Sequence, residues 1–190
     1  MNTPKPKTFN SIEYLQQLDW SEITNDNRFE ALCKAYFETL TEEKNNQIDS
    51  VEASPPAEGA DGGQDLIVTF GMSDGLSQFT RKWVVQCKFE SRSIGKSKMQ
   101  TVNIPSLIHQ YGAVGYLLIC KTLPTTQLEN HFEDLRRNCR FEYKYEIWTG
   151  DDFLSRILEK DNIVKLYFPL YYAYIQLIET ININKGIINE

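Results

Sequence analysis

The chain has 190 residues, of which 41% are hydrophobic and 12% aromatic, with 26 acidic and 20 basic side chains and a formal net charge of −6. This length and composition suit one globular domain with at most a small appendage. No apolar stretch is long enough to span a membrane, and residues 1–10 lack the apolar core of a secretory signal, so the sequence excludes both kinds of segment.

Four cysteines, Cys33, Cys87, Cys120 and Cys139, are widely spaced and include no CxxC pair. This pattern argues against a zinc site and against a disulfide scaffold. Three of them lie in apolar or amphipathic runs, which is typical of buried, reduced thiols. We therefore expect a cytoplasmic protein.

The first predicted elements are a flexible arm over residues 1–10 and a helix over about residues 28–41. Asn25 to Asn27 supply N-caps for that helix, and its apolar side chains recur at helical spacing from Phe29 to Leu40. Glu30 lies off the apolar stripe, near the first turn. A short strand is predicted over residues 48–53, and Pro55-Pro56 then requires a loop.

Residues 61–88 form the pattern around which the domain is organised. The acidic, glycine-rich turn Asp61–Asp65 leads into the apolar run 66–70, and a polar loop over 71–80 precedes a second β-rich run at 83–88. Two strands joined in this way pair antiparallel, so the start of the first lies beside the end of the second. Alternation then places Gln86 and Lys88 on one face, next to Asp65, with Cys87 on the other.

This corner has the chemistry of a metal-dependent hydrolase. The Asp65 carboxylate and an amide or backbone oxygen near Gln86 are hard ligands suited to Mg²⁺, which usually retains several waters. The Lys88 ammonium favours the ionised carboxylate and can orient water or an anionic oxygen. These are the parts needed to hydrolyse a phosphodiester. Asp61 is either a further metal ligand or a residue that shapes the turn, and we favour Asp65 as the ligand.

Beyond Lys88, the sequence alternates between helix and strand patterns. It predicts helices over 102–111, 125–140 and 150–158, and strands over 115–120 and 143–149. The run 115–120 is apolar throughout, as expected of a central strand that is covered on both faces. The predicted fold is an α/β sandwich in which helices flank a central mixed sheet.

Residues 163–190 carry a strongly apolar and aromatic stretch that ends without periodicity. This segment is either an extra helix that packs back on the domain or a contact for a partner, such as a second copy or another domain. It also leaves open that the chain is part of a longer protein.

Net negative charge gives no overall attraction for a polyanion, but the basic side chains are grouped. One group follows the second strand of the hairpin and includes Arg92, Lys96 and Lys98; another lies at 136–144. Each group is either ordinary solvated surface or a nucleic-acid contact. The first flanks the predicted site and is the better candidate for DNA binding.

The motifs D-G-G-x-D over Asp61–Asp65 and Q-x-K over Gln86–Lys88 resemble the catalytic hairpin of the PD-(D/E)XK nuclease superfamily. They are most similar to the Mrr-like restriction endonucleases, in which Gln replaces the usual second acid. The resemblance extends back to Phe29–Leu32 and forward to Gly115–Cys120. It implies a restriction-endonuclease-like domain over 11–162, with 163–190 as a C-terminal helical extension.

The same resemblance implies a Mg²⁺-dependent endodeoxyribonuclease, with Mn²⁺ able to substitute, acting in restriction or anti-phage defence. It assigns catalysis to Asp65, Gln86 and Lys88, and it implies that Glu30 of the opening helix reaches toward the metal. Two alternatives stay open. One is a binding or sensor domain that kept the fold but little catalysis, which the acidic balance favours. The other is a nuclease acting on RNA or on single strands.

Overall fold

The computed structural model describes residues 18–42, 48–53 and 63–184, with side chains up to residue 182. Within these ranges, five strands form one mixed sheet in the order β1-β2-β3-β4-β5. The strands are β1 (Ile48–Ala53), β2 (Leu66–Ser73), β3 (Gln78–Lys88), β4 (Gly115–Cys120) and β5 (Lys144–Trp148). The first three pair antiparallel, whereas β3, β4 and β5 pair parallel. The predicted mixed sheet is confirmed.

Helices flank this sheet on both faces. The α-helices of the described chain are α1 (Asp26–Thr41), α2 (Ile104–Gln110), α3 (Thr126–Asn138), α4 (Gly150–Ile157), α5 (Asp161–Tyr167) and α6 (Pro169–Asn184). The predicted helices at 28–41, 102–111, 125–140 and 150–158 correspond to α1 to α4, with boundaries that differ by a few residues. The N-caps also follow the sequence: Asn25 accepts from the Arg28 amide, and Thr149 forms a capping box with Asp152.

The β2–β3 hairpin is longer than predicted. The expected loop at 71–80 shrinks to the turn between Ser73 and Gln78, because both strands continue into it. The Asp74 carboxylate holds this turn by accepting from the amides of Leu76 and Ser77, each at 2.9 Å. Exposed strand residues such as Thr80 and Lys82 do not carry the apolar alternation by which a strand is recognised in a sequence.

The first face of the sheet is covered by α1, α4 and α5. Phe29, Cys33 and Phe37 of α1 are buried against Val85 and Leu117 in one apolar core. The helix presents these residues at i, i+4 and i+8, which is why the predicted stripe packs as a unit. Cys87 lies on this face as well.

The second face is covered by α2 and α3, which are the crossover helices between the parallel strands. Ile104 and Ile108 of α2 and Phe132 of α3 pack against Tyr116 and Leu118 of β4. Every residue of β4 is buried, as predicted for a central strand.

The C-terminal segment forms two helices, α5 and α6, that meet at Phe168 and Pro169. The first turn of α6 is fixed to the domain, because the amides of Leu170 and Tyr171 donate to the Glu22 carboxylate at 2.8 and 3.1 Å. Further along, Leu177 is 57% exposed. The predicted helical extension is therefore present, while the partner contact stays a prediction.

In the part of the chain that is described, no helix is both long and apolar enough to cross a membrane. The Cys33, Cys87 and Cys120 thiols are buried, as predicted for three of the four cysteines, and Cys139 is half-buried. The predicted arm at 1–10 and the Pro55-Pro56 loop lie outside the described residues.

Candidate active site

Asp65 lies where the β2–β3 ladder ends. Its amide donates to the Val85 carbonyl at 2.8 Å, and its carboxylate Oδ2 accepts from the Cys87 amide at 2.5 Å. The side chain thus takes the place of a main-chain acceptor, which fixes the carboxylate against β3. The N–H and C=O of a strand residue point to the same edge, so the Cys87 carbonyl also faces this end of β2.

Gln86 points to the second face of the sheet and is completely buried. Its Oε1 lies 2.5 Å from the hydroxyl of Tyr116, and the same hydroxyl lies 3.1 Å from the Gly63 carbonyl oxygen. Burial, and then the nearby charge of Asp65, raises the pKa of Tyr116 well above its ordinary value. The structure thus links the QxK strand to the turn before Asp65 through a tyrosine of β4.

Lys88 is half-buried at the end of β3, on the same face as Gln86 by strand alternation. Its register partner on β4 is Cys120, whose thiol has a pKa of about 12; burial raises this pKa, and the charge of Lys88 opposes that rise. The β2–β3 register ends with Leu66 opposite Val85, and the contact with the Cys87 amide places Asp65 against the end of the strand that carries Gln86 and Lys88. That the three side chains form one site stays a prediction.

Glu30 lies on α1, the helix that covers the first face of the sheet. It is half-buried in the first turns of α1, beside Phe29, whose ring contacts Phe89 at a centroid distance of 5.5 Å. A hydrogen bond with Cys33, and then burial, raises the pKa of the Cys87 thiol, and the charges of Asp65 and Glu30 act in the same direction. Both carboxylates therefore lie within electrostatic range of Cys87.

Gly63 is the described residue of the D-G-G-x-D turn that requires glycine most clearly. Its φ is +79°, and a Cβ there would lie 2.4 Å from Val102 Cγ1 and 2.9 Å from Leu107 Cδ1. The turn can approach α2 this closely only without a side chain. Asp61, the alternative metal ligand, lies outside the described residues.

The donor set fits a hard divalent cation. Asp65, the Cys87 carbonyl and Glu30 all offer oxygen ligands. Mg²⁺ takes few protein ligands because it retains water. Among the described residues, no three His, Cys, Asp or Glu side chains form a cluster that would hold a metal. Gln86 Nε2 and Gln64 Oε1 are buried carboxamide atoms that have no hydrogen-bond partner among the described residues. Gln64 precedes Asp65 in the sequence, and Gln86 precedes Cys87, whose amide Asp65 accepts from.

A cleft of about 510 Å³ opens beside the corner, between the segments that follow β3 and β4. Its lining includes Arg92 and Lys121, together with Trp20 and the start of α4. Lys121 Nζ lies 4.1 Å from the centroid of the Phe89 ring, and its amide donates to the Lys88 carbonyl at 2.9 Å. Lys96 and Lys98 are exposed on the following segment, where Lys98 pairs with Glu90 at 2.9 Å.

Tyr116 and Lys121 were not among the residues selected from the sequence. A tyrosine inside the apolar run 115–120 needs a partner for its hydroxyl, which is a usable signal. Lys121 directly follows β4, and the carboxyl ends of parallel strands meet at one edge of a sheet. The position of Lys121 beside Lys88 was therefore also predictable from the sequence.

Comparison with known proteins decides the family. A restriction endonuclease family model, the Mrr catalytic domain, matches residues 22–155, which contain every described residue of the corner. The chain belongs to this family. No curated protein matches the chain.

Two solved restriction endonucleases are similar to this chain, and one of them, MspJI, shares its fold. MspJI, in complex with a 27-mer oligonucleotide, matches with a TM-score of 0.56 and 14% identity over 86% of this chain. The DNA modification-dependent restriction endonuclease AspBHI matches with a TM-score of 0.48 and 11% identity over 83% of this chain. The match covers 35% of the MspJI chain and 43% of the AspBHI chain, so this family member spans less than half of either protein.

Proposed function

We propose that this chain is a Mg²⁺-dependent endonuclease that hydrolyses DNA phosphodiester bonds, with Asp65, Gln86 and Lys88 in its active site. The observation that supports this most directly is the Asp65 carboxylate held by the Cys87 amide, at the strand end beside Gln86 and Lys88. A carboxylate anchored in this way keeps its second oxygen at a fixed position.

In this proposal the ion is held by Asp65, by the Cys87 carbonyl or the Gln86 carboxamide, and by Glu30 directly or through water. When bound, a divalent ion supplies Lewis-acid polarisation of the phosphate and lowers the pKa of water. Asp61 is a further candidate ligand. Mn²⁺ is expected to substitute for Mg²⁺, because it accepts the same oxygen ligands.

The role proposed for Lys88 is electrostatic. Its ammonium neutralises the charge that develops on the phosphate in the transition state and orients the attacking water by hydrogen bonding. The neighbouring strand end adds Lys121, which lines the cleft together with Arg92 and Asp151, so a phosphate backbone in the cleft would meet two cations and one carboxylate.

Delivery to DNA is expected to need more than this domain. The chain has a net charge of −6, which opposes binding to a polyanion. The solved neighbours are more than twice as long as their matched parts. We therefore propose that a further domain, a partner protein or a second copy supplies target binding, in a cytoplasmic restriction or defence system. A second copy would also supply the second active site needed to cut both strands.

Plasmid cleavage tests the proposal. The purified chain, at increasing concentration with Mg²⁺ or Mn²⁺, is expected to convert supercoiled DNA to nicked and linear forms, and EDTA is expected to stop it. Asp65→Asn and Lys88→Ala should each lower the rate by at least about 100-fold. Asp134→Asn and Lys144→Ala make the same chemical changes at exposed positions away from the corner and should cut normally.

Equal cleavage by the wild type and all variants would point to a contaminant and refute the site. Cleavage of RNA or single-stranded DNA in preference to duplex would support the same catalytic corner but a different substrate. DNA binding without cleavage in any metal would instead support a binding or sensor domain.

A further inference from the structure

The inference concerns Tyr116 and rests on the proposed function. The hydroxyl of this buried tyrosine lies next to two oxygens, the Gly63 carbonyl at 3.1 Å and Gln86 Oε1 at 2.5 Å. A carbonyl oxygen and a carboxamide oxygen are both acceptors, and a phenol has one proton to donate. In this arrangement one of the two contacts has no proton.

The other end of the Gln86 carboxamide has the opposite problem. Its Nε2 carries two protons, is buried, and has no hydrogen-bond partner among the described residues. A buried amide nitrogen without an acceptor is unfavourable. Rotating the carboxamide by half a turn removes both problems, and the assignment of its O and N atoms follows from the hydrogen-bond network.

After this rotation, Gln86 Nε2 donates to the Tyr116 oxygen, and the Tyr116 proton goes to the Gly63 carbonyl. One proton of Gln86 Nε2 and the Tyr116 proton then each have an acceptor. The Gln86 oxygen now occupies the buried position that lacks a protein donor. A carboxamide oxygen there is a suitable ligand for a cation, and Asp65, whose carboxylate is anchored on Cys87 of the same strand, is its negatively charged neighbour.

We infer that Tyr116 is a positioning residue for the proposed metal site: it accepts from Gln86, donates to Gly63, and thereby presents the Gln86 carboxamide oxygen to the ion. This makes the glutamine of the QxK motif a directional ligand. A glutamate at the same position needs no such device, because both of its terminal atoms are oxygens. The requirement for the Tyr116 hydroxyl is thus a consequence of having an amide where an acid is usual.

The test compares Mn²⁺ binding in two backgrounds, measured by electron paramagnetic resonance on the whole chain without DNA. Tyr116→Phe should raise the Mn²⁺ dissociation constant by about 10- to 100-fold, as expected when a residue that orients a ligand is removed. In a Gln86→Glu background, Tyr116→Phe should change it by less than about twofold. Tyr145→Phe removes another buried tyrosine hydroxyl, which contacts Cys139, and should leave Mn²⁺ binding unchanged.

The two backgrounds separate positioning from general structural support. A merely structural role for the hydroxyl predicts equal weakening in both, and that result would overturn the inference. So would a Tyr116→Phe variant that binds Mn²⁺ as tightly as the wild type. If the wild type binds no Mn²⁺ and cuts no DNA, the proposed function fails and the inference fails with it. If the wild type binds and cuts while Tyr116→Phe binds equally well, the inference alone fails.

A measurement on the wild type keeps the inference testable if Tyr116→Phe does not fold. Mg²⁺ is titrated into ¹³C- and ¹⁵N-labelled protein, and side-chain carboxamide resonances are followed by NMR. The Gln86 carbonyl carbon should shift together with the Asp65 carboxylate, whereas exposed Gln78, on the same strand, should not. A shift at Asp65 without one at Gln86 refutes the assignment.

Discussion

Two substitutions of Asp65 should separate its structural task from its chemical one. The carboxylate accepts from the Cys87 amide at 2.5 Å, in a strand residue that is otherwise buried. Asp65→Ala removes this acceptor and leaves a buried N–H unpaired, which costs about 1–3 kcal/mol. Asp65→Asn keeps an acceptor oxygen and should cost less than about 1 kcal/mol. Both variants lose the charge that the proposed ion requires.

Asp65→Asn should therefore be stable but inactive, whereas Asp65→Ala should be both destabilised and inactive. In a chain of this size, 1 kcal/mol corresponds to about 2–4 °C in Tm. At the middle of its range, about 2 kcal/mol, Asp65→Ala should melt about 4–8 °C below the wild type, and Asp65→Asn within about 4 °C of it. Mg²⁺ at ten times its Kd should stabilise the wild type by about 1.4 kcal/mol and neither variant.

Thermal and urea unfolding with and without Mg²⁺ measure these quantities, and plasmid cleavage measures activity. The Asp134→Ala and Asp134→Asn pair, at an exposed carboxylate on α3, is the control and should show neither difference. Two results would refute the reasoning. Equal stability of the Asp65→Ala and Asp65→Asn variants would show that the bond to Cys87 does not matter. Mg²⁺-dependent stabilisation of Asp65→Asn would place the ion elsewhere.

Three further predictions follow from the surroundings of the corner. Gly63→Ala should destabilise the protein by at least about 2 kcal/mol, because φ at this position is +79° and the new Cβ would lie 2.4 Å from Val102. Gly75 has a φ of +87° but no atom within 4 Å of the new Cβ, so Gly75→Ala should cost only the backbone strain of about 1 kcal/mol. Equal losses of stability in urea unfolding would contradict this prediction. Lys121→Ala should weaken DNA binding in Ca²⁺ across all sequences and lower the salt slope by about 1, whereas Lys144→Ala should not; unchanged binding would exclude the cleft as a DNA contact. Cys139 should react with a thiol reagent before Cys120 does. Burial raises the pKa of Cys139, but hydrogen bonds from the Tyr145 hydroxyl and the neighbouring backbone outweigh this effect and hold the pKa below its ordinary value. In Cys120, by contrast, burial raises the pKa to about 12. Mass spectrometry after limited labelling checks this order, and early labelling of Cys120 would contradict it.

The fold was predictable where burial sets a clear period. The stripe on α1 and the continuous apolar run of β4 each identify their element and the face that it buries. The hairpin was less predictable, because the exposed half of β3, from Gln78 to Lys82, has no apolar alternation and is held in the sheet by its pairing with β2. Pairing between strands is a tertiary property, so no local pattern shows how far a strand extends.

The candidate site was also predictable only in part. Spacing along the hairpin was sufficient to predict that Asp65 lies against the end of the strand that carries Gln86 and Lys88, because strand alternation and antiparallel pairing are fixed by backbone geometry. It was not sufficient to predict what holds each of them. The partners of Gln86 are a hydroxyl 30 residues later and a carbonyl reached through it, and such contacts depend on how β4 docks beside β3.

The end of the β2–β3 ladder explains why an acid can be fixed at this point at all. Where β2 begins, β3 continues, so the Cys87 amide faces an edge at which no strand partner remains. A buried amide must be paired, and the Asp65 side chain pairs it. The requirement that closes the ladder therefore also orients the carboxylate. An acid one residue further along β2 would be turned to the opposite face, into the apolar core where Leu66 packs.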